Sequence, residues 1–524
     1  MKPTTINPQA TQVETDKIIH GKQITIPFDA QPRQFYRHGW QSWSLAAWVD
    51  PAQGVPAIRP KLLHPMQTDP LYASESQPNG SWLGAVELSD GNILFLGALG
   101  LEAHVTLSGN SLKGWYESGE GDWFVGRGPE QAVFAHYTTL LEERLGKGRS
   151  TPSPRVWCSW YSLYTSIDES ILYQTLNELG SLPFDVFQVD DGWQIGIGEW
   201  QPNDKFPSGM EALADRIRAS GRTPGLWLAP LLVVPSSKLF REQPDWLLRN
   251  ENGQLVSAGF NWGEQLYTID TTHPEVLKWL ANLMKRVRAW GFDYIKLDFL
   301  YAGALPGIRR NGMPRETAYR HGLQVIREAL GNAYFLTCGA PILPSLGLCD
   351  AMRIGPDVAH YWDSIRDSRM LNNPTTPGAK NAIRTTLNRL WLSPLVQTDP
   401  DVVYFRSRLN ELSDEQKRLL QDLALICDFK ATSDLPFWLN ESERAKLSDF
   451  LTSHPMIKRT ERYKFMIDKR NVDFSEAISL PKPLNLPLRG VGAILGWAAN
   501  FPVVMRANDR LGKWALTKLR KDHT

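Results

Sequence analysis

Three stretches of the chain end in aspartates whose surroundings suit chemistry. Lys296 and Asp298 lie two residues apart in the run from Gly291 to Leu300, GFDYIKLDFL. Asp357 closes DAMRIGPD, four residues after Arg353, and Asp190 and Asp191 stand in DVFQVDDGW. Each acid follows apolar strand-formers such as Phe292, Tyr294, Ile295 and Leu297, the composition of a parallel strand buried on both faces. Taken alone, Lys296 and Asp298 also fit a structural ion pair closing a strand. Acids that end several such strands, however, share one confined mouth, at the C-terminal face where α/β barrels hold their reactive groups. Two carboxylates flanking a small cavity can cleave a glycosidic bond: one attacks the anomeric carbon, and the other protonates the leaving oxygen and then activates water. The ammonium of Lys296 favours the charged form of Asp298, as a nucleophile requires. Asp357 lies among Gly355 and Pro356 beside Arg353, and dissimilar surroundings set an acid apart from a nucleophile.

The elements that must position these residues follow from the pattern around them. From Val156 onward, apolar strands alternate with amphipathic helices, the mark of βα units. The strands are expected at 156–160, 185–193, 223–230, 291–300, 334–338, 350–357 and 388–394, with the eighth near 429–433. Asp168 is expected to open one helix, and His273 to Trp290 to form another, with Leu277, Leu280, Leu283 or Met284, and Val287 along one face. Eight units over about 280 residues match a (β/α)8 barrel. Residues 1–150 show short apolar runs broken by Gly, Asn, Ser and Pro and no long helical period, which predicts an antiparallel β-sandwich. GKGRSTPSPR (146–155) has the composition of a linker, and 441–524 is expected to form a small C-terminal domain rich in antiparallel β. The chain is thus divided into 1–150, 151–440 and 441–524. Leu439 to Ser453 is expected to be helical, while PKPLNLP (481–487) and the apolar run 491–505 fit that last domain only loosely.

Composition narrows the ligand class. The chain has 524 residues, with Lys+Arg 57 against Asp+Glu 56, a formal charge of +1, so it lacks the basic footprint of a nucleic-acid binder. A small, neutral ligand is expected. Four cysteines without a C-x-x-C pair indicate neither a zinc site nor a disulfide framework and suit a reducing compartment. No apolar leader or membrane-length run stands out, so a soluble, cytoplasmic protein without a membrane or nucleic-acid partner is expected. Twenty tryptophans supply flat apolar faces with one donor each, suited to sugar rings as well as to cores. The stretch from Tyr36 to Trp48, YRHGWQSWSLAAW, is too dense in Trp, Gly and Ser for an ordinary strand and is expected to be a loop displaying Trp40 and Trp43.

The set WCSWY (157–161), VDDGWQ (189–194), GLWLAP (225–230), YIKLDF (294–299), Cys338-Gly339 and RIGPD (353–357) resembles the catalytic barrel of glycoside hydrolase family 36, the α-galactosidases, in their clan with family 27. The motifs fall in the family's order over roughly residues 30–440. The resemblance implies a retaining α-galactosidase acting on terminal α-D-galactosyl groups by double displacement, with no metal or organic cofactor. It implies that Asp298 is the nucleophile and Asp357 the acid/base. It further implies that Asp190 and Asp191 bind the 4- and 6-hydroxyls, that Trp227 walls the sugar pocket, that Lys296 and Arg353 hold hydroxyls, and that Cys338 lies near the 2-hydroxyl. Trp160, Tyr161 and Trp193 transfer as softer binding candidates, and Trp43, in preference to Trp40, as a lid. CGAPILP departs from the family's glycine run after the cysteine, so aglycone preference does not carry over.

Other functions fit parts of the pattern. A raffinose-synthase-like transglycosylase or an α-N-acetylgalactosaminidase would use the same acids. An aldolase would use Lys296 as a Schiff base, and a metal enzyme would place a divalent ion among Asp190, Asp191 and Asp298. A sugar-binding protein would have a relic barrel and no turnover.

Overall fold

The computed structural model describes residues 15–29, 31–52, 54, 56, 58, 60–149, 151–364, 371, 373–481, 494, 496–501 and 503–506. Its centre is an eight-stranded parallel sheet, TIM-barrel-like in its curl. The strands are β1 (Arg155–Cys158), β2 (Val186–Val189), β3 (Thr223–Leu228), β4 (Tyr294–Leu297), β5 (Tyr334–Thr337), β6 (Ala351–Arg353), β7 (Gln397–Asp399) and β8 (Lys430–Thr432). Each pairs with the next in sequence from β1 to β7, and β8 pairs with β1. A parallel bridge between Val403 and Thr432 brings the segment after β7 against β8, so the two edges meet. The register sets Trp227 beside Lys296 and Arg353 beside Asp399. Residues in register on parallel neighbours face the same side of the sheet, so these pairs share one layer.

The intervening helices are α2 (Glu169–Leu179), α3 (Gly209–Ala219), α4 (Pro274–Ala289), α5 (Arg315–Leu330), α6 (Ala379–Leu387), α7 (Asp414–Cys427) and α8 (Glu441–Thr452), with α1 (Glu130–Leu145) preceding β1. Their ends are written in the sequence. Asp168 accepts the Ile171 peptide N–H at 2.8 Å to open α2, and Ser413 and Asn440 form capping boxes with Gln416 and Glu443 at α7 and α8. Helix α4 buries Val276, Leu280, Leu283, Met284 and Val287, one stripe at helical spacing, whereas Leu277 is only half-buried.

The seventh strand is not where its apolar run suggested. Residues 388–394 lie at the end of α6 and in a 3-10 turn over Leu390–Leu392. Trp391 there packs against Phe134 and Tyr137 and donates to the Tyr36 hydroxyl. The strand is the polar triplet Gln397–Asp399, in which Gln397 accepts from the Tyr334 hydroxyl and Asp399 from Arg353. The expectation of no long helix before residue 150 is likewise corrected: α1 buries Val133, Phe134, Tyr137 and Leu141, a helical stripe flanked by charge. Residues 146–155 are not a loose connection either. Arg149 grips Asp350 through two bonds of 2.6 Å and also bonds to Ala333 O, and Arg155 already belongs to β1.

Ahead of α1, two antiparallel sheets of six and four strands form, and Trp123 of the larger lies over Gly114 of the smaller, where a Cβ would come within 2.7 Å of the indole. After α8 comes a three-stranded antiparallel sheet, Ile457–Glu461, Lys464–Ile467 and Arg470–Asp473. Most of the Pro-rich 481–487 and several residues of the 491–505 run lie outside the described residues.

Two buried side chains fasten the leading sheets to the parallel sheet. Glu316, in the first turn of α5, accepts the indole N–H groups of Trp40 (2.8 Å) and Trp82 (2.9 Å) and the peptide N–H of Glu102. Glu102 in return accepts the peptide N–H groups of Glu316 and Thr317, capping the helix from outside. Arg389 donates to the carbonyls of Gly39, Gln41, Ser42 and Ser44 and to that of Ile354, just past β6. The loop carrying Trp43 is thereby moulded around one guanidinium.

Candidate active site

Asp298 follows β4 directly and prolongs it, its N–H reaching Leu228 O at 2.8 Å. The next residue, Phe299, turns into the left-handed region at φ 54°, which ends the strand and leaves the aspartate at the mouth. The carboxylate is held on both oxygens: Oδ1 accepts the Phe299 N–H at 2.8 Å and Oδ2 the Trp227 indole N–H at 2.9 Å. Lys296 stands 3.9 Å from Oδ2 and donates to Asp190 at 3.0 Å. Burial alone would discourage the lysine's charge, but Asp190 and Asp298 outweigh it and raise its pKa well above the ordinary lysine value.

At the end of β2, Asp190 Oδ2 also accepts from the Gln188 amide at 2.6 Å, with the Cys158 thiol 3.5 Å away. Asp190 Oδ1 accepts the Asp191 peptide N–H at 2.9 Å. Asp191 takes the Gln194 amide at 2.6 Å and the Trp262 indole at 2.7 Å. Burial raises the Asp191 pKa, against those two hydrogen bonds. Lys296 thus stands between Asp190 and Asp298, where one alternative placed a divalent ion. Among the described residues no group of three or more His, Cys, Asp or Glu is arranged to hold a metal.

Opposite these lies a cluster around Arg353 at the end of β6. Its guanidinium meets Asp399 at 2.8 Å, Asp401 at 2.9 Å and Asp357 at 3.2 Å. Asp401 also accepts the Tyr161 hydroxyl and, at 2.9 Å, the Val358 peptide N–H. The Asp357 carboxyl keeps about a third of its side chain open (32%), unlike the Asp399 and Asp401 side chains at 3% and 0%. Desolvation in this crowded pocket, then the charges of Asp401 and Asp298, push the Asp357 pKa up to about 7, against the pull of Arg353. One acid of the pair is therefore poised to carry a proton near neutrality, while the other is fixed by two N–H donors.

The remaining candidates fall into two groups. Trp43 stands at the mouth: its ring lies 5.1 Å from Phe299 and so close to Gly339 that a Cβ there would approach it to 2.9 Å. Cys338, preceding that glycine, is buried, and burial with the nearby Asp298 charge raises its thiol pKa well above the usual value. Trp160 is half-buried beside Tyr164. Trp40 is spent on Glu316, and Trp193 is fully buried, donating to Trp227 O at 2.9 Å and packing on Trp200 and Trp290. The sequence reading missed Asp399 and Asp401, because the strand they follow was placed elsewhere, and Trp262, which sits at φ 52° in the turn between Ser257–Asn261 and Glu264–Thr268. A polar QTDPD between two helices was the available signal for the first two.

Aspartates, a lysine, an arginine and tryptophans gathered at the strand ends define a TIM-barrel-like protein with an acidic, aromatic-walled mouth. The family model described as Melibiase matches residues 130–333. The fold is similar to that of an α-galactosidase from Thermus thermophilus in complex with p-nitrophenyl α-D-galactopyranoside, with TM-score 0.84 and 47% identity over 89% of this chain and 97% of that one. The chain belongs to the melibiase family. Its likeness to the family 36 α-galactosidase AgaA of Geobacillus stearothermophilus, TM-score 0.56 at 16% identity over 82% of this chain and 61% of that one, is one of fold. In sequence it is 27% identical to α-galactosidase AgaA over 208 residues, 36% of this chain and 27% of that protein. The aligned stretch thus spans about a quarter of that curated relative's length.

Proposed function

We propose that the protein is a retaining α-galactosidase hydrolysing terminal α-D-galactosyl groups. The observation that carries this reading is the contrast between Asp298, held on both oxygens by N–H donors, and Asp357, lifted to about 7. Asp298 attacks the anomeric carbon to form a β-galactosyl ester while Asp357 protonates the leaving oxygen; Asp357 then takes a proton from water, which releases the sugar with its α configuration restored. Asp190, Asp191, Lys296, Cys338 and Arg353 supply the polar lining, with Trp43, Trp160, Tyr161 and Trp227 as aromatic neighbours and Trp193 behind them. The ligands printed with the Thermus structures, p-nitrophenyl α-D-galactopyranoside and stachyose, support α-galactosides as the substrate class. The catalytic unit is a (β/α)8 barrel over 151–440, preceded by a β-sandwich unit over 1–150 and followed by a C-terminal unit over 441–524. Four buried free cysteines support a reducing, cytoplasmic setting.

The Lys296 charge disfavours the aldolase alternative, since a Schiff-base lysine must lose its proton to attack. The test is release of 4-nitrophenol from 4-nitrophenyl α-D-galactoside by the wild type and by Asp298→Gly, with azide added to the variant. Turnover by the wild type, loss of roughly 10⁴-fold or more in the variant, and azide rescue yielding β-galactosyl azide are expected. A wild type that ignores this substrate but cleaves another α-glycoside would overturn the sugar assignment. One that cleaves none would overturn the enzyme reading.

A further inference from the structure

Asp401 lies two residues past β7 with a backbone φ of 82°, a left-handed conformation that an aspartate holds only when its surroundings enforce it. Both its oxygens are engaged. Oδ1 accepts from Arg353 Nη2 at 2.9 Å and from the Val402 N–H at 2.8 Å. Oδ2 accepts the Val358 N–H at 2.9 Å and the Tyr161 hydroxyl. Two of these donors border Asp357: Val358 is the next residue in the chain, and Arg353 donates through Nη1 to Asp357 Oδ1 at 3.2 Å.

We infer that Asp401 is the positioning residue of the acid/base, one carboxylate that fixes Asp357 through Arg353 on one side and through the Val358 peptide on the other. The inference rests on the proposed glycosidase reading, in which Asp357 delivers the proton. Asp401 does not itself meet the leaving group. Its carboxylate does two things at once: it anchors the backbone from which Asp357 projects, and it occupies a guanidinium nitrogen that would otherwise be free to strengthen its hold on Asp357. Asp399, bonded to Arg353 Nε, completes the restraint.

The charged and titratable groups around Asp357 come from every strand end nearby. They are Arg353 on its own strand, Asp401 and Asp399 after and in β7, Asp298 and Lys296 at β4, Tyr161 after β1 and Cys338 after β5. Among these charges Asp401 does most to raise the Asp357 pKa. Removing its charge leaves Arg353 the dominant neighbour, so Asp357 gives up its proton at lower pH.

The experiment compares wild type, Asp401→Asn, Tyr161→Phe and Asp357→Asn on two α-galactosides, one with a methoxide leaving group and one with 2,4-dinitrophenolate. Departure of methoxide requires a proton from the acid, and departure of 2,4-dinitrophenolate does not. For Asp401→Asn, kcat/KM on the methyl galactoside is expected to fall roughly tenfold or more beyond any fall on the dinitrophenyl one. The basic limb of its pH profile is expected to move to lower pH. Tyr161→Phe, which removes one donor to Asp401 but leaves its charge, should not move the limb to lower pH and should reproduce a smaller version of the loss confined to the methyl galactoside, and serves as the measurement should Asp401→Asn not fold. Equal losses on both substrates with an unmoved basic limb would mean that Asp401 merely supports the fold. If Asp357→Asn shows the leaving-group dependence and Asp401→Asn does not, this inference alone falls. If the wild type cleaves neither substrate, the glycosidase reading falls first.

Discussion

The indole N–H of Trp227 on β3 meets Oδ2 of Asp298 beyond β4 at 2.9 Å, across a strand pair whose register puts Trp227 beside Lys296. A tryptophan expected to wall the pocket thus also holds the carboxylate proposed as the nucleophile. A hydrogen bond to a charged group contributes about 1.5–3 kcal/mol. Trp227→Phe should therefore lower kcat/KM by roughly 10–100-fold. An unchanged kcat/KM would mean that the indole N–H contributes nothing to the reaction.

Asp357, as the proposed acid/base, should set the basic limb of the pH profile. Its proton is retained up to about pH 7 in the folded protein, so kcat/KM should decline above about that pH, and Asp357→Asn should abolish the decline. The same shift acts on stability. Its unfolded value is the ordinary 3.8, and a folded value raised above it means that the folded state binds the extra proton between these limits. The contribution to stability is full below the lower limit and is lost as pH rises through the upper one. Thermal midpoints measured from pH 4 to 8 should fall less steeply for Asp357→Asn than for the wild type.

Gly339 is confined by Trp43 and by the backbone after Asp298. At φ 53°, a Cβ there would come 2.9 Å from the Trp43 ring and 3.1 Å from Phe299 N. Gly339→Ala should displace one of them, at about 1–2 kcal/mol for the left-handed backbone alone. The sharper consequence is kinetic: KM for an α-galactoside should rise several-fold, and a variant with wild-type KM would show that neither neighbour touches the sugar.

Glu316 satisfies two indoles and a peptide N–H with no water-facing surface. Glu316→Ala would leave all three donors buried without an acceptor, each at a cost of about 1–3 kcal/mol. A thermal midpoint lowered by several degrees is expected, whereas an unchanged midpoint would mean that the Trp40 loop re-forms its contacts elsewhere.

The parts of this architecture that were legible in the sequence are those written in apolar runs. Strands β2, β3 and β4 are short blocks of buried hydrophobic residues ending in the residues that matter, and the stripe and caps of α4 and α2 follow helical spacing. Strand β7 lacks that signature, because its three residues are polar and Gln397 and Asp399 are held by partners distant in sequence rather than by hydrophobic burial. With it went Asp399 and Asp401, the groups that organise Arg353. Trp262 was invisible for a related reason: a turn residue gains its role only when the hairpin folds against Asp191. For Trp193 the sequence shows only a tryptophan beside aspartates, whereas its burial against Trp200 and Trp290 depends on residues further along the chain.

Arg389 gives the pocket an order of assembly. The loop between Gly39 and Ser44 belongs to the first tenth of the chain, yet four of its carbonyls are closed by a side chain some 350 residues downstream. During synthesis from the N-terminus, the strands flanking that loop emerge long before the residue that shapes it. Trp43 can therefore take its place over Gly339 only after the chain as far as Arg389 has left the ribosome, and the nascent protein remains without a finished mouth until then.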